Sequence, residues 1–263
     1  MILVFLFILG LFIGSFLNVL IDRLPREEQI VKGRSKCDHC KHVLAWYDLL
    51  PVISWVFLKG KCRYCKKQID FRNTLVELLT GTMFVLTAVL LVSGIRYQVL
   101  GIEIIKLSIY LIIVSCLMVI FFIDLKHKII PDSLTILVGI TGVLLWFLSP
   151  TSLSYINYLL SAAGSAMFFL FLVFITKGRG MGMGDVKFAF VMGLLLGSPG
   201  VIIALYIAFL TGAILSAILI LSKRKKFGQT VPFGPFLVVG TLIVLFDLVP
   251  AVIEQFIVPY YYF

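Results

Sequence analysis

The chain has 263 residues, of which 61% are hydrophobic and 14% charged, with a mean hydropathy of +1.10. A soluble domain carries about 25% charged residues, so the composition excludes one and specifies a polytopic membrane protein. The net charge of +10 raises nucleic acid as a partner, but the distribution of that charge speaks against it.

Apolar stretches run over about 1–21, 74–95, 102–123, 133–149, 153–176, 180–199, 201–221 and 231–250. A span takes about 20 apolar residues at ~1.5 Å each. The expected fold is therefore all-α, with about eight transmembrane helices; the shorter fourth and eighth stretches have a re-entrant reading as the alternative. The first stretch lacks a basic leader and a small-residue cleavage site, so it reads as a retained helix rather than a signal peptide. Segments 22–73, 124–131, 177–187 and 222–230 hold 21 of the 23 Lys/Arg, and only Arg96 and Lys106 fall on the other side. The positive-inside rule then puts both termini outside and these four segments in the cytosol. A basic excess that tracks topology is a retention signal, so nucleic acid is not an expected partner. The expected parts are a first helix (1–21), a cytosolic insert (22–73) and a seven-helix core (74–263).

The insert carries Cys37-Asp38-His39-Cys40 and Cys62-Arg63-Tyr64-Cys65. Two Cys-x-x-Cys knuckles at this separation suit a tetrahedral zinc site of the ribbon kind, with Cys37, Cys40, Cys62 and Cys65 as ligands. In a reducing cytosol stable disulfides are rare; a redox pair or unligated thiols are the alternatives. So small a piece has little core of its own, and a structural metal would supply much of its folding energy. His39 and His42 read as surface residues, and the lone Cys116 as a packed thiol in the third stretch.

Glu77 is an acid near the cytosolic face, read either as support for a site there or as a partner of Arg72. Asp124 ends the third stretch, followed by Lys126, His127 and Lys128. Asp132, just after Pro131, reads as a helix cap. Asp247 falls at the outer end of the last stretch.

The sixth stretch opens Gly180-Met181-Gly182-Met183-Gly184-Asp185-Val186-Lys187. If helical from Gly180, it sets Asp185 roughly 9 Å inward from Arg179. A carboxyl at such a place is expensive and marks a functional site by default. The glycines remove bulk beside it, so that another backbone can come close. The competing reading is a glycine-rich loop with one solvated Asp. A dinucleotide-binding turn fails on pattern, since this is not G-x-G-x-x-G after a strand.

The topology sets Asp124 and Asp185 at one face of the membrane and at similar depth. Two carboxyls meeting in a poorly solvated place share a proton, and such a pair activates water with one member while the other protonates a scissile carbonyl. This is aspartic-protease chemistry and needs neither a nucleophilic side chain nor a metal. The blander alternative has each Asp capping a helix or pairing with Lys126 or Lys187.

With these residues together the chain resembles the bacterial type IV prepilin peptidases across nearly its whole length. The motifs, in order, are Gly14-Ser15-Phe16-Leu17-Asn18, Arg23-Leu24-Pro25, the cysteine pairs, and Pro51-Val52-Ile53-Ser54-Trp55 with Gly60-Lys61-Cys62. Glu77-Leu78-Leu79-Thr80-Gly81, Asp124 to Asp132, Met183-Gly184-Asp185-Val186-Lys187 and Pro232-Phe233-Gly234-Pro235-Phe236 complete the set. The chain departs at Arg72-Asn73-Thr74, where the family pattern has Arg-Tyr-Pro. The resemblance implies an intramembrane aspartic protease of the Gly-x-Gly-Asp kind in the bacterial cytoplasmic membrane, with Asp124 and Asp185 as its aspartates. It implies cleavage of basic leaders from prepilins or pseudopilins of pilus, secretion and competence systems. It also implies S-adenosylmethionine-dependent methylation of the new N-terminal residue, an activity associated with the cysteine-bearing insert. No glycine-rich cofactor loop stands in the sequence, and no residue in it marks the cofactor pocket. Two other classes compete: a proton- or metal-coupled transporter, and a non-enzymatic zinc-ribbon scaffold. Against the first, both acids sit at one face and the hydropathy pattern shows no internal repeat.

Overall fold

The structure, a computed structural model, describes residues 1–30, 33–37, 39–92, 100–148, 154–178, 180–223 and 231–248. Arg96, Arg179, the basic run 224–226 and the end of the eighth apolar stretch lie outside the described residues. The helices are α1 (Ile2–Arg23), α2 (Ile53–Phe57), α3 (Phe71–Val92), α4 (Leu100–His127), α5 (Asp132–Leu148), α6 (Tyr155–Ile175), α7 (Met183–Leu221) and α8 (Gly234–Leu245). Among the described residues, α1, α3, α4, α6 and α7 are long and apolar enough to cross a membrane, whereas α5 and α8 are shorter apolar helices. The chain divides into two compact units, Met1–Val99 and Leu100–Phe263.

In the first unit α1 and α3 run antiparallel in close contact, and glycines make that possible. A Cβ at Gly10 would lie 2.6 Å from Gly81 Cα, and one at Gly14 would lie 2.7 Å from Glu77 Cα. Small residues let membrane helices approach to backbone contact, where dispersion replaces the missing hydrophobic drive. Between these helices the insert folds as two like turns. Isolated bridges Lys36↔Val43 and Lys61↔Gln68 close them, and Lys41 and Lys66 take left-handed φ values of 57° and 59° at matching positions.

In the second unit the decisive feature is a reversal inside α7. The Ser165 hydroxyl donates to the Ala189 carbonyl at 2.8 Å, while Phe169, one turn on, meets the Phe209 ring at 6.0 Å between centroids. Residues 189 and 209 would lie about 30 Å apart on an unbroken helix, so α7 doubles back between them. The break is at Gly197 (φ 64°, ψ −174°) and Ser198 (φ −99°, ψ 136°), followed by Pro199. Gly197 is required twice over: its φ is left-handed, and a Cβ would press on the Tyr158 ring at 3.0 Å. The Asn157 side chain holds the turn by accepting the Ser198 N–H at 2.8 Å. The expected boundary between residues 199 and 201 thus falls beside a real chain reversal.

The first arm of α7 (183–196) packs between α5 and α6. Trp146 of α5 donates its indole N–H to the Leu194 carbonyl at 2.9 Å, and Gly193 lies against the Ala162 backbone of α6. The second arm (199–221) packs antiparallel to α8, with Gly240 against the Ala204 carbonyl and Gly212 beside Phe236. This doubling brings the start of α7, the end of α4 and the start of α8 to one end of the unit.

Candidate active site

Asp124 stands in the last turn of α4 and is only 5% exposed. Its Oδ2 accepts the Gly234 N–H at 2.9 Å. That N–H is one of the unpaired donors at the start of α8, so the carboxylate both satisfies it and meets the positive end of the helix dipole. Glycine lets the carboxylate sit there, because a Cβ would lie 2.6 Å from Asp124 Oδ2 and 2.9 Å from its Cγ and would force that side chain to shift. Asp185 lies in the first turn of α7 and is 9% exposed. Its Oδ2 accepts the Gly182 N–H at 2.9 Å, and its own N–H returns to the Gly182 carbonyl at 3.2 Å.

The sequence-based depth of Asp185 assumed helix from Gly180. The helix begins at Met183, and Gly180 to Gly182 precede it as non-helical chain. A first-turn carboxyl capping its own helix needs no deep burial of unpaired backbone, which is why the glycines are not drawn into the helix.

Both carboxyls face a cavity of about 570 Å³ whose walls include Pro131, Gly180, Gly182 and Phe233. Lys128 lines the same cavity. Each accepts a glycine N–H through its Oδ2. Gly184 packs on Ile130, where a Cβ would come to 3.2 Å, whereas a Cβ at Gly182 would meet nothing closer than 3.9 Å. The open part of the glycine run is therefore at Gly182, not at Gly184.

Neighbouring acids take other roles. Lys187 donates to both oxygens of Asp132, at 2.8 and 2.7 Å, so Lys187 is engaged there and not with Asp185. Asp132 is the first residue of α5, and its carboxylate makes this surface pair rather than a side-chain cap. Glu77 does not pair with Arg72, which binds Asp22 at 2.8 Å; Glu77 instead accepts the Val52 N–H at 2.8 Å.

In the insert, the sulfurs of Cys37, Cys40, Cys62 and Cys65 all lie within 4.8 Å of one another. Tetrahedral zinc–thiolate bonds of about 2.3 Å set sulfurs roughly 3.8 Å apart, and Cys37 Sγ to Cys65 Sγ is 3.9 Å. The donor set and spacing fit a structural zinc. Burial pushes the Cys37 thiol up, but the backbone N–H groups of Cys40 and His39, with the neighbouring thiols, outweigh it and lower it to about 7. His39 and His42 are exposed, and His42 rests against Tyr64 at 3.7 Å between ring centroids. Cys116 is buried within α4.

The segment Pro232-Phe233-Gly234-Pro235-Phe236 carries a local signal for this contact. A glycine between prolines at the head of an apolar run marks a helix start with a free N–H, and this one serves Asp124. Gly234→Ala is expected to displace the Asp124 carboxyl and lower kcat for peptide cleavage by about 10²-fold or more, as misplacement of about 1 Å does. Membrane abundance should stay near wild type, and kinetics on the purified variant check both.

Among the described residues, two buried carboxyls on one cavity in a helical, apolar framework are an arrangement that intramembrane acid–base hydrolysis can use. Comparison with known proteins narrows this. Residues 8–91 match the model of the bacterial peptidase A24 N-terminal domain, and residues 111–217 match that of the type IV leader peptidase family. The prepilin leader peptidase/N-methyltransferase of Bacillus subtilis is 32% identical over 90% of this chain and 91% of its own length. That of Aeromonas hydrophila is 33% identical, over 92% and 89%. That of Myxococcus xanthus is 35% identical over 86% of this chain, which spans 66% of that relative. No solved structure matches. The chain belongs to the bacterial prepilin leader peptidase family, and it is a multi-pass membrane protein.

Proposed function

We propose that the protein removes the basic leader of a prepilin or pseudopilin by hydrolysis between Asp124 and Asp185, at the cytosolic face of the bacterial cytoplasmic membrane, and then methylates the new N-terminus. That it is a prepilin leader peptidase and N-methyltransferase follows from its family. The observation that carries the dyad is the shared cavity, with each carboxyl held through its Oδ2 by a glycine N–H.

In this reading one carboxylate takes a proton from water as the oxygen attacks the scissile carbonyl carbon, and the partner carboxyl gives its proton to the carbonyl oxygen. Collapse breaks the C–N bond. The amine leaves with a proton returned from the dyad, and the leader ends in a new carboxylate. A helical peptide bond hides its carbonyl, so the substrate unwinds at the cut. The non-helical run 180–182 leaves room for that extended segment. Counting the two arms of α7 separately gives eight spans, with both termini outside and the carboxyls at the cytosolic end. This orientation rests on the Lys/Arg distribution.

The four cysteines would hold zinc as a structural element of the insert, with no part in cleavage. S-adenosylmethionine, when bound, supplies an electrophilic methyl group to a neutral amine and leaves as S-adenosylhomocysteine. The test is incubation of the purified protein with a synthetic prepilin and S-adenosylmethionine, followed by mass spectrometry. Leader loss with the mass of one added methyl group is expected; an uncleaved prepilin across several pilin substrates would favour the transporter reading.

A further inference from the structure

The first unit contains a cavity of about 570 Å³ that the carboxyl pair does not use, walled by α1, the insert and α3. This is within the range of small-ligand pockets. Its polar lining is unfinished. Asn18 is 8% exposed and donates its Nδ2–H to the Asn73 carbonyl at 2.9 Å, yet its Oδ1 is buried without a partner. The same holds for Asn73 Oδ1 and for the indole N–H of Trp55. All three residues line the cavity; Asn73 and Trp55 also line a second cavity beside the cysteine turns, where the Trp55 indole edge lies against Gly60. Buried polar atoms are ordinarily paired, so a cluster of orphans around one space points to a missing occupant.

Glu77, 8% exposed, also lines this space. One of its oxygens is fixed by the Val52 N–H, which is presented from a left-handed backbone (φ 58°) that a β-branched residue rarely adopts. Strain of that kind persists where the surrounding structure enforces it, and it gathers at ligand sites. Arg34 and Lys36 supply cations on the same lining.

The occupant must therefore offer donors to two amide oxygens, a cationic part to a carboxylate, an acceptor to an indole N–H, and an anion to Arg34 and Lys36. An adenosyl amino acid with a sulfonium centre has all of these: ammonium and adenine amino donors, ring-nitrogen acceptors, a positive sulfur and a carboxylate. We propose that this cavity is the S-adenosylmethionine site, with Asn18, Asn73, Trp55 and Glu77 as its buried contacts and Arg34 and Lys36 at the amino-acid carboxylate. The proposal rests on the methyltransferase reading above and adds where the methyl donor binds.

The test is calorimetric titration of the full-length protein in detergent with S-adenosylhomocysteine, repeated on Asn18→Leu and Trp55→Phe. Zinc content and elution volume report that each variant is folded. One saturable site is expected for the wild type. Asn18→Leu should weaken it at least roughly tenfold, and Trp55→Phe, which removes only the N–H, by a few-fold. Wild-type binding with both folded variants unchanged would overturn the location. A wild type that cleaves leaders but does not bind S-adenosylhomocysteine would overturn the methyltransferase reading itself.

Discussion

Asp124→Asn and Asp185→Asn are each expected to lower leader cleavage by about 10⁴-fold, the upper range for loss of a general acid or base. The protein should stay in the membrane at its normal level. Asparagine is nearly the same size as aspartate, and its side-chain oxygen can still accept the Gly234 or Gly182 N–H at the 2.9 Å now seen for each carboxylate. What it cannot do is take a proton from water or give one to a carbonyl. The contrast with Gly234→Ala is informative, since that change leaves both acids present but moves one. A graded loss there beside near-complete loss in the Asn variants is the pattern expected of a positioned pair. Equal, mild effects of all three would mean that Asp124 and Asp185 only cap helices.

The second large effect is expected in the insert. Cys→Ser at position 37, 40, 62 or 65 should each release the metal and open the same segment to protease, and a second such change should add little. Structural zinc contributes apparent binding energies of about 10–16 kcal/mol in small domains, far more than a segment closed by two isolated bridges holds otherwise. Non-additivity is the signature, because any one ligand removes the whole site. Methylation should fall with the fold of the insert, since Cys37, Trp55 and Lys36 also line the cavity of the first unit. Zinc analysis and limited proteolysis check this. Four independent, additive effects, or a purified wild type without stoichiometric zinc, would contradict the shared site.

Much of this was legible from local pattern. The length of the apolar stretches marked the helices, and the Cys-x-x-Cys spacing marked a cluster whose sulfurs do meet. Basic segments put Asp124 and Asp185 at one level, and they line one cavity. What the sequence did not yield were distant contacts that no motif or charge pattern announces. The Gly234 N–H on Asp124 joins positions 110 apart, and the Asn18–Asn73 bond joins positions 55 apart; neither leaves a trace in periodicity. The alternative of charge pairing between chain neighbours fails at Lys187 for a related reason. Lys187 follows Asp185 closely in the chain, but a first-turn helical position turns the two side chains apart, and Lys187 reaches Asp132 instead. α7 starts later than the length of a full span requires, because the chain doubles back within it and Asp185 itself caps the helix from its third position.

The proposed step is activation of water between Asp124 and Asp185. It is tested most directly by cleaving a synthetic prepilin in water enriched in oxygen-18, with the wild type and both Asn variants purified alike. One heavy oxygen in the new leader carboxylate, from the wild type only, is the expected result. Normal release of leader by either variant would contradict it.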